Sequence, residues 1–120
     1  MKTMQNAVTL SGHLGTEIAI KQVGAGQRMA RMPLATNEYY RDQSGSSHKD
    51  TQWHQLVAWG TIAERMQREL GKGAFVIVHG KLVTRKFLTQ AGDTRHVTEV
   101  VVREFTKMSS GKPTQTPQAA

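Results

Sequence analysis

The chain has 120 residues, with 16 Lys or Arg against 9 Asp or Glu, and its formal charge is +7. This basic balance favours a polyanionic partner such as nucleic acid over a merely solvated basic surface, and the length predicts one domain with a thin core. The absence of cysteine excludes disulfides, a thiolate nucleophile and a zinc ribbon. No apolar run approaches the ~18 residues of a membrane span, and no signal-peptide core is recognised at the N-terminus, so we expect a cytoplasmic protein without metal or cofactor.

The first half of the chain alternates in the manner of β-strands. Residues 6–14 predict a first strand, in which Gly12 indicates a bulge or a barrel corner. A second strand is predicted over residues 28–36, with Pro33 at an edge or a bulge because proline donates no backbone hydrogen bond. Residues 37–50 have no apolar period, so we expect a polar loop there.

The stretch TQWHQLVAWG, residues 51–60, predicts a third strand with Trp53 and Trp59 on one face. A polar residue lies between the two tryptophans, which is unusual for a wholly buried face. Outward aromatic rings on a basic sheet are surfaces on which unpaired bases stack, and Tyr39 and Tyr40 precede this strand. The strand alone leaves two interpretations open: a stacking surface, or tryptophans in the core or at a subunit interface.

The second half predicts one helix and two further strands. Residues 61–64 have the form of a capping box, and four apolar side chains then share one helical face: Ile62, Ala63, Met66 and Leu70. Strands are predicted over residues 74–88 and 95–105. Residues 106–120 are rich in Ser, Thr, Pro and Gln without aromatic residues, which predicts a disordered tail.

This order of elements predicts an all-β fold, a five-stranded antiparallel OB-fold barrel over residues 1–105 with one helix between its third and fourth strands. OB folds bind oligonucleotides or oligosaccharides on the face of strands two and three and through neighbouring loops. The tryptophan strand is the third strand, and Arg85, Lys86 and Phe87 lie where the loop after the fourth strand begins. Aromatic and basic residues are therefore expected to converge on one surface.

Five segments carry a resemblance to a known family: NAVTLSGHLG, LAT, TQWHQLVAWG, AERMQRELGKGAFVIVHGKLVTRKF and GDTRHVTEVVV. In this order and spacing, they resemble bacterial-type single-stranded DNA-binding proteins over residues 6–105. The resemblance implies binding of single-stranded DNA during replication, recombination and repair, by a homotetramer in the bacterial cytoplasm, associated with the nucleoid. It implies that bases stack on Tyr40, Trp53, Trp59 and Phe87, and that His54 lies at a subunit interface.

The family's bacterial members usually end in an acidic tip that recruits replication and repair proteins. This sequence has no Asp or Glu after Glu104, so it is either a shortened chain or one from a branch without that tip. The resemblance therefore gives no support for recruitment of protein partners through the tail.

Phosphate groups are expected to contact basic side chains on the same surface. The candidates are Arg31, Arg41, Lys49, Lys72, Arg85, Lys86 and Arg95. A second hypothesis is an OB-fold adaptor that docks a protein in a replication-restart or repair assembly, and RNA binding is a variant of the first. An enzyme is the weakest interpretation, because the five histidines show no metal-ligand spacing, no nucleophile motif is present, and acids such as Glu99 look structural.

Overall fold

The computed structural model describes residues 5–108. Within them, six strands and one helix follow one another along the chain. The elements are β1 Val8–Leu14, β2 Ile20–Val23, β3 Gln27–Arg41, β4 Ser47–Trp59, α1 Gly60–Glu69, β5 Phe75–Leu88 and β6 Thr94–Lys107.

Five of these strands close into a barrel, because β1 pairs with β5 along one edge and with β3 along the other. The circuit runs β1, β5, β6, β4, β3 and back to β1, and α1 connects β4 to β5. The expected OB-fold barrel is confirmed, with its helix between the third and fourth barrel strands. Two details differ from the prediction: β4 and β6 pair in parallel at Leu56 and Val57, and the short β2 extends the sheet beside β3.

The barrel interior and one face of α1 form the hydrophobic core. Even-numbered side chains of β3 and β4 point inward, among them Met32, Leu34, Leu56 and Ala58. The predicted helical face is confirmed, because Ala63, Met66 and Leu70 are buried and Ile62 packs against the core. The helix therefore closes one end of the barrel, and the outer surfaces of β3 and β4 stay available.

The predicted capping box at the start of α1 is wrong. No side chain caps the N-terminus of the helix, and the residue before it, Trp59, has an extended backbone. The Glu64 carboxylate pairs with Arg28 of β3 instead of returning to the helix backbone. Glu64 thus forms an ion pair with Arg28 in place of the predicted capping bond. The sequence of the helix alone cannot reveal a partner on another strand.

Gly12 and Gly80 lie where two strands of the barrel come into backbone contact. A Cβ atom at Gly12 would stand 2.1 Å from the carbonyl oxygen of Ala35, and one at Gly80 would stand 2.0 Å from that of Val101. Gly80 also borders a shift in the β5–β6 register. Only glycine fits at such distances, so these two positions allow the barrel to close.

Pro33 lies where the outer edge of β3 passes from one neighbour to another. β2 pairs with β3 as far as Ala30, β1 pairs from Leu34, and the Pro33 carbonyl accepts a hydrogen bond from the Gly15 N–H at 3.0 Å. In an antiparallel strand the N–H and C=O of one residue point to the same side. The missing N–H of Pro33 therefore faces this junction, and the β3–β4 ladder is intact.

The predicted loop over residues 37–50 is wrong, because most of it is a β-hairpin. β3 and β4 pair without interruption from Met29 opposite Trp59 to Arg41 opposite Ser47. The end of this ribbon is exposed on both faces, so its strands need no apolar alternation. The hairpin extends the face of the barrel outward.

The hairpin turn is held by one carboxylate. Asp42 Oδ1 accepts hydrogen bonds from the Ser44 hydroxyl at 2.7 Å and from the N–H groups of Ser44 and Ser46 at 2.9 and 3.0 Å. Asp42 Oδ2 lies 2.7 Å from His48 Nε2. The Ser44 hydroxyl first, and then His48, lower the pKa of Asp42 from 3.8 to about 2.

We expect the turn to lose this support only in strong acid. Because the pKa of Asp42 is lowered in the folded hairpin, its contribution is complete above pH 3.8 and is lost as the pH falls through about 2. An NMR titration of the Asp42 carboxyl carbon should show a midpoint near 2, and Ser44→Ala should raise it. A midpoint near 3.8 in the unmodified chain would contradict the hydrogen-bonded turn.

β6 continues to Lys107, beyond the predicted end at residue 105. From residue 109 onward, the predicted tail lies outside the described residues. Between residues 5 and 108 there is no helix of sufficient length and apolar character to cross a membrane.

Candidate nucleic-acid interface

The outer surface of β3, β4, β5 and the first part of β6, as far as Val101, carries odd-numbered side chains, and we call this surface the aromatic face. It includes Trp53 and Trp59 from β4 and Phe87 from β5, which are 61%, 41% and 43% exposed. Two-residue alternation places these side chains opposite the inward-pointing Leu56 and Ala58. The interpretation of the tryptophans as core residues is therefore wrong for this fold.

Trp53 is fixed against the barrel. Opposite it on β3 is Ala35, and its ring lies so close to Gly15 that a Cβ atom there would stand 2.8 Å from the indole. The same Cβ would be 3.2 Å from Pro33 Cγ. One part of the indole thus contacts Gly15 and the neighbouring barrel surface, and the rest is open to solvent.

Trp59 forms one wall of an open cleft of about 450 Å³ at the other end of β4. The remaining wall includes Gly26 of the β2–β3 turn and the ion pair between Arg28 and Glu64. The cleft lies next to the aromatic face.

The two tyrosines of the hairpin lie on opposite sides of the ribbon. Because pairing is uninterrupted, Tyr39 shares the side of Trp53, and Tyr40 lies on the other side. Tyr40 is 53% exposed and stacks on His48, with ring centroids 5.2 Å apart and an interplanar angle of 21°. The structure therefore does not bring Tyr40 together with Trp53 on one surface.

The predicted phosphate contacts are all exposed, but they do not all share the aromatic face. Alternation places five of them on it: Arg31, Arg41, Lys49, Arg85 and Arg95. Lys86 lies on the opposite side of the β5–β6 ribbon, across from His96, and Lys72 lies in the connection between α1 and β5. Phe87 has a cationic neighbour, since the Arg85 guanidinium carbon lies 5.8 Å from its ring centroid.

A buried carboxylate lies at the centre of the aromatic face. Glu99 of β6 is 5% exposed and binds two arginines from different strands, Arg31 of β3 and Arg85 of β5. Burial raises the pKa of Glu99, but the hydrogen bonds and positive charges of Arg85 and Arg31 outweigh burial and hold the pKa below its ordinary value. Glu99 is therefore ionised at neutral pH.

His54 lies on the side of β4 opposite Trp53. It is half-buried, and its Nε2 lies 2.9 Å from the Thr36 hydroxyl. Between residues 5 and 108, no group of three or more His, Cys, Asp or Glu side chains is close enough to hold a metal ion. Within this chain, the contact of His54 is therefore its hydrogen bond with Thr36 of the neighbouring strand β3.

Two residues of the aromatic face are absent from the predicted site. Tyr39 is noted in the sequence beside Tyr40, but only the alternation of β3 past residue 36 places it on the same side as Trp53. Glu99 was grouped with structural acids, although a carboxylate inside a strand of β-branched residues needs cationic partners when it is buried. The partners lie far away in sequence, at Arg31 and Arg85, so only the closed barrel reveals them.

The fold and this face define an OB-fold domain with an exposed surface of aromatic and basic side chains. The model of the single-strand binding protein family matches residues 5–108, and the chain belongs to that family. It is similar to single-stranded DNA-binding protein 1 of Chlorobaculum tepidum, at 37% identity over 101 residues, which are 83% of this chain and 62% of that protein. It is also similar to the solved structure of Plasmodium falciparum SSB in complex with ssDNA, with a TM-score of 0.78, 30% identity and coverage of 91% and 99% of the two chains.

Proposed function

We propose that this protein binds single-stranded DNA without strong sequence preference. The observation that supports this most is the exposure of Trp53, Trp59 and Phe87 on one face together with arginines. Every base has an aromatic surface that can stack on such rings, so stacking tolerates any sequence. The family and the named ligand of the Plasmodium falciparum structure support the same ligand class.

Two effects combine in this mechanism. Arg41, Lys49 and Arg95 neutralise phosphates and release the counterions condensed on the strand, which makes affinity depend on salt. Base stacking on the tryptophans and on Phe87 then selects single strands, because a duplex hides the faces of its bases within its own stack. Tyr39 and Tyr40 offer further rings on the two sides of the hairpin.

The wider role follows from the family and is also a proposal. The chain would protect single-stranded DNA during replication, recombination and repair in the bacterial cytoplasm, without catalysing a reaction itself. It would act as a homotetramer with His54 at a subunit interface. Sedimentation of wild type and His54→Ala would test this assembly, since loss of an interface contact lowers the tetramer fraction.

Tryptophan fluorescence tests the proposed ligand directly, because the chain has two Trp and both lie on the aromatic face. Titration with poly-dT should quench the emission strongly at low salt. The slope of log affinity against log salt should be about −0.7 for each phosphate contacted. Matched duplex DNA is the control and should quench far less, and poly-rU compares RNA with DNA.

The opposite result has a defined meaning. If poly-dT neither quenches the emission nor binds by a second method, the proposal is wrong. An aromatic face that ignores nucleic acid would instead be a docking surface for a protein, and its affinity would change little with salt.

A further inference from the structure

Glu99 connects two arginines that approach it from different strands. Arg31 Nε donates to Glu99 Oε2 at 3.1 Å, and Arg85 donates through Nε to Oε1 at 3.1 Å and through a terminal nitrogen to Oε2 at 3.3 Å. Both arginines bond to the same oxygen, Oε2. The two nitrogens that donate to Oε2 therefore lie no farther apart than the sum of their distances to it, although both guanidinium groups are positively charged.

The bonds to Glu99 leave much of each guanidinium free. Arg31 uses only its Nε–H on Glu99, so both of its terminal nitrogens keep their donors. Arg85 presents one side of its fork to the carboxylate and keeps the other terminal nitrogen. The two arginine side chains are 37% and 43% exposed, whereas the Glu99 side chain is 6% exposed. Both guanidinium groups are thus bound to one buried carboxylate while their side chains stay partly exposed.

The position of this cluster suits a phosphate of a bound strand. Arg31 lies opposite Val57 on the β3–β4 ladder, between the two tryptophans and nearer to Trp59 than to Trp53, and Arg85 lies beside Phe87. Bases stacked on those rings would carry their backbone across the centre of the face. Paired guanidinium groups match the geometry of phosphate oxygens and form short, charge-assisted hydrogen bonds.

We propose that Glu99 is a positioning residue that holds Arg31 and Arg85 together as a two-guanidinium site for one backbone phosphate. This inference rests on the proposed binding of single-stranded DNA. Glu99 does not touch the strand itself. It acts through the two arginines, whose flexible side chains would otherwise separate and would have to be ordered on binding.

A simple count of charges predicts the opposite effect of Glu99. Removing a carboxylate from a DNA-binding surface raises its positive charge, which by itself strengthens attraction to phosphates. Positioning predicts weaker binding, because two like-charged guanidinium groups without their shared acceptor move apart. Glu99→Gln therefore separates the two explanations by the sign of its effect.

The experiment measures affinity for a short, labelled dT oligonucleotide by fluorescence anisotropy at several salt concentrations. For Glu99→Gln we expect binding at least about 5-fold weaker than wild type, from the ordering of two side chains. The salt slope should become shallower by about 0.7, the value of one phosphate contact to a single strand. Tighter or equal binding with an unchanged or steeper slope overturns the inference.

Two further variants keep the test decisive. Glu104→Gln makes the same charge change on β6, where the side chain is 63% exposed beside Arg65, and it should leave affinity unchanged or slightly higher. Arg85→Lys keeps the charge of the site but removes the fork, so it should weaken binding about 3- to 10-fold. If Glu99→Gln does not fold, Arg85→Lys alone decides: wild-type affinity in that variant overturns the inference.

The proposed function and the positioning role fail in different ways. If the wild-type chain does not bind the oligonucleotide, the proposed function is wrong, and no phosphate site exists to be organised. If wild type binds and both Glu99→Gln and Arg85→Lys bind equally well, single-strand binding stands and only the role of Glu99 is wrong.

Discussion

Trp53→Ala should weaken binding to a dT oligonucleotide by about 1–3 kcal/mol, roughly 5- to 150-fold, and leave the protein folded. The loss follows from removing a ring on which a base stacks. The fold should survive because the ring is 61% exposed and makes its closest contacts with Gly15 and Pro33 at the barrel surface. Anisotropy of a labelled oligonucleotide gives the affinity, and thermal unfolding checks the fold.

Leu88→Ala is the matched control for this substitution. Leu88 is 72% exposed on β5, but alternation places it on the side opposite Phe87. Removing an exposed apolar side chain there should not change affinity. Wild-type affinity in Trp53→Ala would refute base stacking at this position, and an unfolded variant would give Trp53 a structural role.

Gly80→Ala should reduce the free energy of unfolding by about 3 kcal/mol or more. The new methyl group would stand 2.0 Å from the Val101 carbonyl oxygen and 3.2 Å from Val102 Cα. Both are backbone atoms of the paired strand, so the strain can be relieved only by moving β6 away from β5. Urea unfolding followed by circular dichroism measures the change.

Gly71→Ala provides the comparison at a tolerant glycine. Gly71 follows α1, and the nearest atom to a new methyl group is a flexible Glu17 carboxylate oxygen at 3.6 Å, an ordinary contact. We expect a change within about 0.5 kcal/mol. Equal effects of the two substitutions would show that close strand approach does not explain the glycine at position 80.

The barrel could be predicted from sequence because its signals are local. Alternation marked most of each barrel strand, and the period of Ala63, Met66 and Leu70 marked the helix face. The tryptophans were recognised as candidates because a polar residue stands between them. Local patterns of this kind depend only on which side of one element meets water.

The rest depended on distant partners. Residues 37–50 looked like a loop because a two-stranded ribbon in solvent buries neither face, so its strands have no apolar period. Glu64 looked like a helix cap until the fold brought Arg28 beside it. The sequence also did not show which face of the hairpin each tyrosine occupies. That face is set by the pairing of Tyr39 with Lys49 and of Tyr40 with His48.

The closed barrel ends before its strands do. Beyond Ala35, β3 pairs with β4 alone, and beyond Gly80, β5 pairs with β6 alone. Two-stranded ribbons are pliant, whereas the barrel beneath Trp53 is stiff. Rings such as Phe87 can therefore follow bases of different size while Trp53 keeps its place against the barrel. Binding of any base sequence would then depend on the flexibility of the ribbons as well as on base stacking.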